Sequence, residues 1–230
     1  MGQPTATLCK ATELLESSGP TGPARWERAA LNGILTELVG GPKSANVSVA
    51  SRLIFQAQTA GEQVAWVATH RDVFFPPDIA AAGVDLAVLP VVWAADGPTE
   101  DGPAADGPAE EPVATGRRHA GRAVRTAEQL LRSGAFGLII IDLAKNLTLD
   151  AAGQGRLLHL AEHNDAQVLI IRRKREDGVY SGSLVTVRVE SSREQIGPGR
   201  FRCTITNTKD KREGPGWTTS EEFDGPPGLY

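Results

Sequence analysis

The chain has almost no cysteine: two among 230 residues, Cys9 and Cys203. That excludes a disulfide framework and any cysteine-based metal site, and it suits a reducing cytosol. A long apolar run is also missing. No stretch is long enough to span a bilayer, and the opening MGQPTATLCK has no signal-peptide core, so a cytoplasmic protein without a membrane partner is expected. Nor is there an excess of positive charge. The net charge of −4 gives no global attraction to nucleic acid and leaves only local clusters to act. The remainder is ordinary: 40% apolar and 23% charged residues, in a length that suits one α/β core with or without tails.

A more specific absence lies in residues 38–53, LVGGPKSANVSVASRL. They have the layout of a phosphate-binding loop: a strand end, a glycine-rich turn, then an amphipathic helix beginning near Val49. A working loop reads G-x-x-x-x-G-K-[ST], in which glycines let backbone N–H groups wrap the phosphates, Lys neutralises charge and the hydroxyl holds Mg²⁺. Counting from Gly41, the second glycine is Asn46, the lysine is Val47, and only Ser48 keeps its chemistry. An aliphatic side chain cannot neutralise a phosphate, and Asn46 carries a Cβ where close approach requires none. The expectation is a nucleotide-binding scaffold without a bound cofactor, a metal or a catalytic residue.

Along the chain, residues 1–23 read as a short amphipathic helix around Leu8 and Leu15 followed by a Gly/Pro linker. Residues 24–212 read as the core. Strands are expected over 31–39, 64–68, 138–142, 167–172, 184–190 and 201–208, and helices over 49–60, 78–82, 117–132 and 151–163. Residues 96–116 repeat Asp-Gly-Pro three times, are acidic and carry almost no bulky apolar side chain, so a disordered surface insertion is expected there. The tail 213–230 is rich in Gly and Pro and reads as mostly irregular. Strands alternating with helices, then a run of strands, predict an α/β sheet that is parallel at its centre with antiparallel strands at the C-terminal edge.

Several groups invite a chemical reading. Asp142 ends the apolar strand LIIID, where an ATPase places the carboxylate that supports Mg²⁺. The residue that activates water is expected just after the strand 64–68, but that stretch reads Ala68-Thr69-His70-Arg71-Asp72, with no glutamate. His159-Leu160-Ala161-Glu162-His163 matches an inverted zinc-protease helix, but its third ligand must come from Glu213, Glu221 or Glu222 in a segment with no convincing helix. A solvated helix face is the preferred reading. Arg172-Arg173-Lys174-Arg175 leaves a strand end and is expected to face solvent, phosphate or an acidic partner. Lys209-Asp210-Lys211-Arg212 has similar standing. Neither cluster is interleaved with aromatics that stack on bases, so direct DNA binding is expected to be weak or absent. Trp217, Phe223 and Tyr230 stand in the polar tail as candidate interface anchors.

Taken in order, these pieces resemble the RecA recombinase core. The match runs through GILTELVGGP (33–42), VAWV (64–67), AGVD (82–85), TAEQLLRSGA (126–135), LIIID (138–142), Val185–Val189 and Phe201–Lys209. It covers roughly residues 28–212. The departures are the lost loop residues at Asn46 and Val47, the missing catalytic glutamate, the missing first DNA-binding loop, a second loop cut to about Arg172–Ser183 and the absent C-terminal domain. A short degenerate relative of this kind is similar to the ImuA family, grouped with SulA-like SOS proteins. The resemblance implies a RecA-like pseudo-ATPase, not an enzyme, that serves as an SOS-response adaptor. It also implies RecA and ImuB as partners, with an error-prone C-family DNA polymerase reached through ImuB for translesion synthesis. The implied location is the cytoplasm, at the nucleoid when bound to repair partners. Two alternatives stand beside it. One is a weak nucleotide- or DNA-binding regulator of RecA filaments, in which Lys43 substitutes for the lost lysine. The other is a SulA-like inhibitor of cell division.

Overall fold

The apolar runs become the strands of one eight-stranded sheet. The computed structural model describes residues 26–41, 43–70, 74, 76–94, 112–144, 147–174 and 182–224, with side chains left aside at 112–117, 223 and 224. The strands are β1 (Leu35–Gly40), β2 (Gln63–Ala68), β3 (Val91–Trp93), β4 (Phe136–Asp142), β5 (Gln167–Arg173), β6 (Val187–Gly197), β7 (Arg200–Asp210) and β8 (Thr218–Asp224). Their order across the sheet is β3-β2-β4-β5-β1-β6-β7-β8. The first six are parallel, and β7 and β8 add antiparallel at the C-terminal edge. This is the mixed α/β architecture predicted above, and it is consistent with a RecA-like core.

Helices cover both faces of the parallel part: α1 (Asn46–Thr59) and α2 (Pro76–Ala81) on one, α3 (Pro112–Arg132) and α4 (Ala151–His163) on the other. The two-residue period of a strand deals side chains alternately to the two sides. Leu38, Ile140, Leu169 and Val189 pack under α1 with Leu53 and Ile54, while Leu35, Ile139, Ile141 and Ile170 pack under α3 and α4 with Val124 and Leu157. Because both faces are covered, β1 is buried along its whole length, Thr36 and Glu37 included. Each fully buried Leu or Ile contributes roughly 2 kcal/mol of burial free energy. Among the described residues no helix is long and apolar enough to cross a membrane.

Several boundaries differ from expectation, among them that of the first strand, which begins at Leu35 rather than Leu31. Helix α1 begins at Asn46 rather than near Val49, because the Val49 N–H already reaches the Ala45 carbonyl at 2.9 Å. Helix α3 begins at Pro112 rather than Arg117, so the last five residues of the predicted insertion are helical. Proline suits a first helical position, since its fixed φ fits and its missing N–H would have no partner there. The rest of the insertion, 96–111, lies outside the described residues. Strands β6 and β7 run past their predicted ends into a long hairpin that turns at Gly199, whose φ of 64° suits glycine. The tail expected to be irregular supplies β8 instead. Its Glu222 meets Arg200 and Arg202 at 2.6 and 3.1 Å, and its Ser220 meets Thr204 at 3.0 Å. Cross-strand pairs of this kind outweigh the poor strand propensity of the Gly/Pro flanks.

Candidate functional site

In open α/β sheets ligands bind outside the carboxyl ends of the strands, where the strand order changes direction. Here that crevice lies at the ends of β1, β4 and β5. Gly40, Gly41, Asp142 and Arg173 meet there, together with the start of α1.

The loop between β1 and α1 is closed by its own residues. Its backbone is tied on both sides: Lys174 N–H donates to the Gly40 carbonyl at 2.8 Å, and Arg193 N–H donates to the Lys43 carbonyl at 2.8 Å. Asn46, at the second-glycine position, is buried. Its amide oxygen accepts from Ser191 Oγ at 2.7 Å, and its Nδ2 donates to the Arg172 carbonyl at 3.4 Å. Ser191 Oγ in turn accepts the Ala45 N–H at 3.1 Å. Asn46 therefore clamps the helix start between β5 and β6. Val47, at the lysine position, packs against the apolar cluster under α1. Ser48, the retained hydroxyl, lies close enough to the Cys203 thiol on β7 to bear on its ionisation. Burial pushes that thiol up from its ordinary value, against the smaller opposing pulls of Arg193 and Ser48.

The glycine that this closure requires is Gly40. A Cβ there would collide with the Ser44 side chain and come within 2.7 Å of Asn46 Oδ1. At Gly41, the first glycine of the motif, a Cβ would meet open space. The steric demand at Gly40 thus comes from the loop's own side chains.

Two strands away, β2 and β4 end together. Thr69 Oγ1 donates to the Asp142 carbonyl at 3.0 Å and accepts the Ala144 N–H at 2.8 Å. Asp142 is buried, and its Oδ1 lies 3.3 Å from His70 Nε2. The first residues after β2, Thr69 and His70, are thus both engaged with Asp142. The neighbouring Arg71 and Asp72 lie outside the described residues.

The basic cluster 172–175 is corrected. Arg172 does not face solvent. It is 4% exposed, and its Nη1 donates to Glu37 Oε1 at 3.0 Å. Glu37 is 2% exposed in the middle of β1, and its other oxygen accepts from Arg188 Nε on β6. A burial cost of several kcal/mol per ion forces such charges to pair. Lys209, also against this group, donates to the Gly182 and Ser183 carbonyls at 3.0 and 3.2 Å. Burial first, then Lys211 and Arg188, lower its pKa, with Glu37 opposing. The Arg–Glu–Arg triad was not anticipated from sequence. Its signal was faint: Glu37 lies among mostly apolar residues in LTELV and Arg188 between two valines in VRV, and a charge in such a setting demands a counter-charge.

The other candidates disperse. Arg173 is exposed, and Lys174 pairs with Glu190 at 2.6 Å. Trp217 folds back: it packs against the core under α1, and its indole N–H donates to Asp210 at 3.4 Å. Phe223 lies in β8, with its side chain outside the described part. Leu8, Leu15, Arg175 and Tyr230 lie outside the described residues. His159 and His163 sit exposed on α4, and among the described residues no group of three or more potential metal ligands gathers. No protein-family model matches the chain, and no curated protein matches it significantly.

Proposed function

We propose that this chain is a non-catalytic RecA-like adaptor of the bacterial SOS response. It supports error-prone translesion synthesis by binding RecA and ImuB, and through ImuB an error-prone C-family DNA polymerase. The observation that carries the non-catalytic part is the self-closed loop. Asn46 is hydrogen-bonded to Ser191 and the Arg172 carbonyl, the partly buried Val47 packs against the core and Ser48 lies near Cys203. A loop that must open its own hydrogen bonds to admit a phosphate has lost the preorganisation that makes such loops bind.

The sheet order and the degenerate motifs support the RecA-like part of this reading; the partners rest on the resemblance. A protein that keeps the scaffold and fills the nucleotide site acts through its surfaces. The action is in the cytoplasm, at the nucleoid when its partners are there. The test is co-purification of the full chain with RecA and with ImuB from damaged cells, read by mass spectrometry. Recovery of both partners supports the reading. Recovery of neither, with the protein folded and abundant, sinks it.

A further inference from the structure

Large apolar side chains that stay exposed gather at one end of the sheet. Phe55 of α1 is 46% exposed, and Val88, in the single 3-10 turn Leu86–Val88, is 44% exposed. The two elements are tied together. The Phe55 ring leans over Gly83, where an added Cβ would come within 3.2 Å of it. Gln58 clasps Asp85, donating to its carbonyl and accepting its N–H, both at 2.9 Å. Asp85 in turn caps the 3-10 turn through the Ala87 N–H at 2.9 Å. Ala80, Ala81 and Ala82 of the same stretch are exposed as well. Trp93, 40% exposed on the edge strand β3, already has a partner. Residues 76–94 carry Asp78 and Asp85 and no cation, and the adjoining 96–111 is acidic too. Arg52, the one cation of α1, is taken by Glu27 and Glu221. The face is therefore apolar with an acidic rim, and unsuited to phosphate.

We infer that this face is the docking site of the chain's own N-terminal segment, residues 5–17. The place where the chain enters the fold selects that occupant. Trp26 is buried in the cluster under α1, Glu27 lies 3.6 Å from Arg52, and the Arg28 N–H donates to Gln56 Oε1 at 3.0 Å. Arg52 and Gln56 flank Phe55 on the same helix. The exposed face thus begins within one helix width, about 10 Å, of the point of entry. The eight residues between, SGPTGPAR (18–25), reach roughly 15 Å as a coil, which fits that span. The segment also has the matching chemistry: Leu8, Ala11 and Leu15 recur at the spacing of one helix face. Its Lys10 is outnumbered by Glu13 and Glu16, so charge gives no attraction to the acidic rim and apolar burial is the driving force. A tether that matches its span supplies an effective concentration of about millimolar, which sustains a contact too weak to form between separate molecules. Once docked, the segment covers Phe55 and Val88, and a partner that uses either surface must displace it. The inference does not depend on which partner that is.

The test puts a nitroxide on Cys9, which stands beside the Leu8–Leu15 line, in the full chain with Cys203→Ala, or with Cys203→Ser should alanine unfold it. Amide NMR intensities are the readout. The Phe55, Gly83 and Val88 amides are expected to lose most of their intensity, while His159 and Glu162, on α4 across the sheet, keep theirs. Leu8→Ser with Leu15→Ser keeps the tether and removes the contact, so the three amides should recover. Phe55→Ser, at an exposed position that spares the core, should free Gly83 and Val88 in the same way. Added salt should leave the losses in place, since the contact is apolar. An equal mixture of nitroxide-bearing chains with isotope-labelled chains that carry no nitroxide should show no loss. Full intensity at the three amides in the intact chain overturns the inference, as does a loss that survives Leu8→Ser with Leu15→Ser. So does a loss in the mixture equal to that in the single chain, which assigns the face to a second copy.

Discussion

Replacing Glu37 by alanine leaves Arg172 and Arg188 facing each other inside the protein with no carboxylate between them. In the intact chain Glu37 and Arg172 are 2% and 4% exposed, and Arg188 is 9% exposed. Water cannot take over the lost interaction. Removing one member of a buried ion pair costs about 3–5 kcal/mol, most of it the penalty on the stranded charge. Against a total stability of about 5–15 kcal/mol, that is about a fifth of the protein's margin or more. For a domain of this size each kcal/mol shifts the melting temperature by about 2–4 °C, so a drop of roughly 6–20 °C is expected. Urea titration should show the same loss as a lower midpoint with an unchanged slope. The triple change Glu37→Leu, Arg172→Met, Arg188→Leu should recover most of it, because an apolar replacement has no charges to desolvate. The reasoning is refuted if Glu37→Ala costs less than about 1 kcal/mol, or if the triple variant is no more stable than the single one.

The remaining expectations concern the loop and its surroundings. Gly40→Ala should destabilise by about 1–3 kcal/mol through overpacking against Ser44 and Asn46, while Gly41→Ala stays within about 0.5 kcal/mol; the reverse ranking in urea melts would count against the closed loop. Asn46→Ala should lose about 1–3 kcal/mol by stranding Ser191 and the Arg172 carbonyl, again read by urea melts. Asp210 gives a pH signature. Burial alone would push its carboxyl up, but the Arg212 and Glu213 N–H groups, the Trp217 indole and the Arg212 guanidinium together hold it below its ordinary value of 3.8. A depressed folded-state pKa contributes stability that is complete above that ordinary value and fades as pH falls through the lower folded one. Asp210→Asn should therefore flatten the acid limb of the stability profile below about pH 4, and an unchanged limb would refute the linkage. In a Cys9→Ser background, the buried Cys203 thiol should be alkylated at least about tenfold more slowly in the native protein than in denaturant; equal rates would contradict its placement.

The alternation of apolar and helical segments made the sheet legible. VAWV, LIIID and VLII are too apolar to lie anywhere but between two helix layers, and they became β2, β4 and β5. What escaped was set by partners distant in sequence. Asn46 reads as a damaged glycine until Ser191, 145 residues on, supplies its hydrogen bond. Arg172 reads as the first of four surface cations, but pairing of β5 with β1 puts it beside Glu37, from 135 residues earlier. Strand β8 carries Glu221 and Glu222 and is flanked by Gly and Pro, which argues for a loop. Only the arginines of β7, and Arg52 of α1 against Glu221, make those carboxylates favourable in a strand. Local propensity cannot report a counter-charge that arrives from another element.

The proposed loss of nucleotide binding rests on the β1–α1 loop held by Asn46, Ser191 and the Arg172 carbonyl. Calorimetric titration of the folded chain with Mg·ATP tests it most directly. No saturable heat is expected up to millimolar nucleotide, and no change in that silence on Ser48→Ala or Asp142→Asn. Saturable micromolar binding that either substitution abolishes would contradict it.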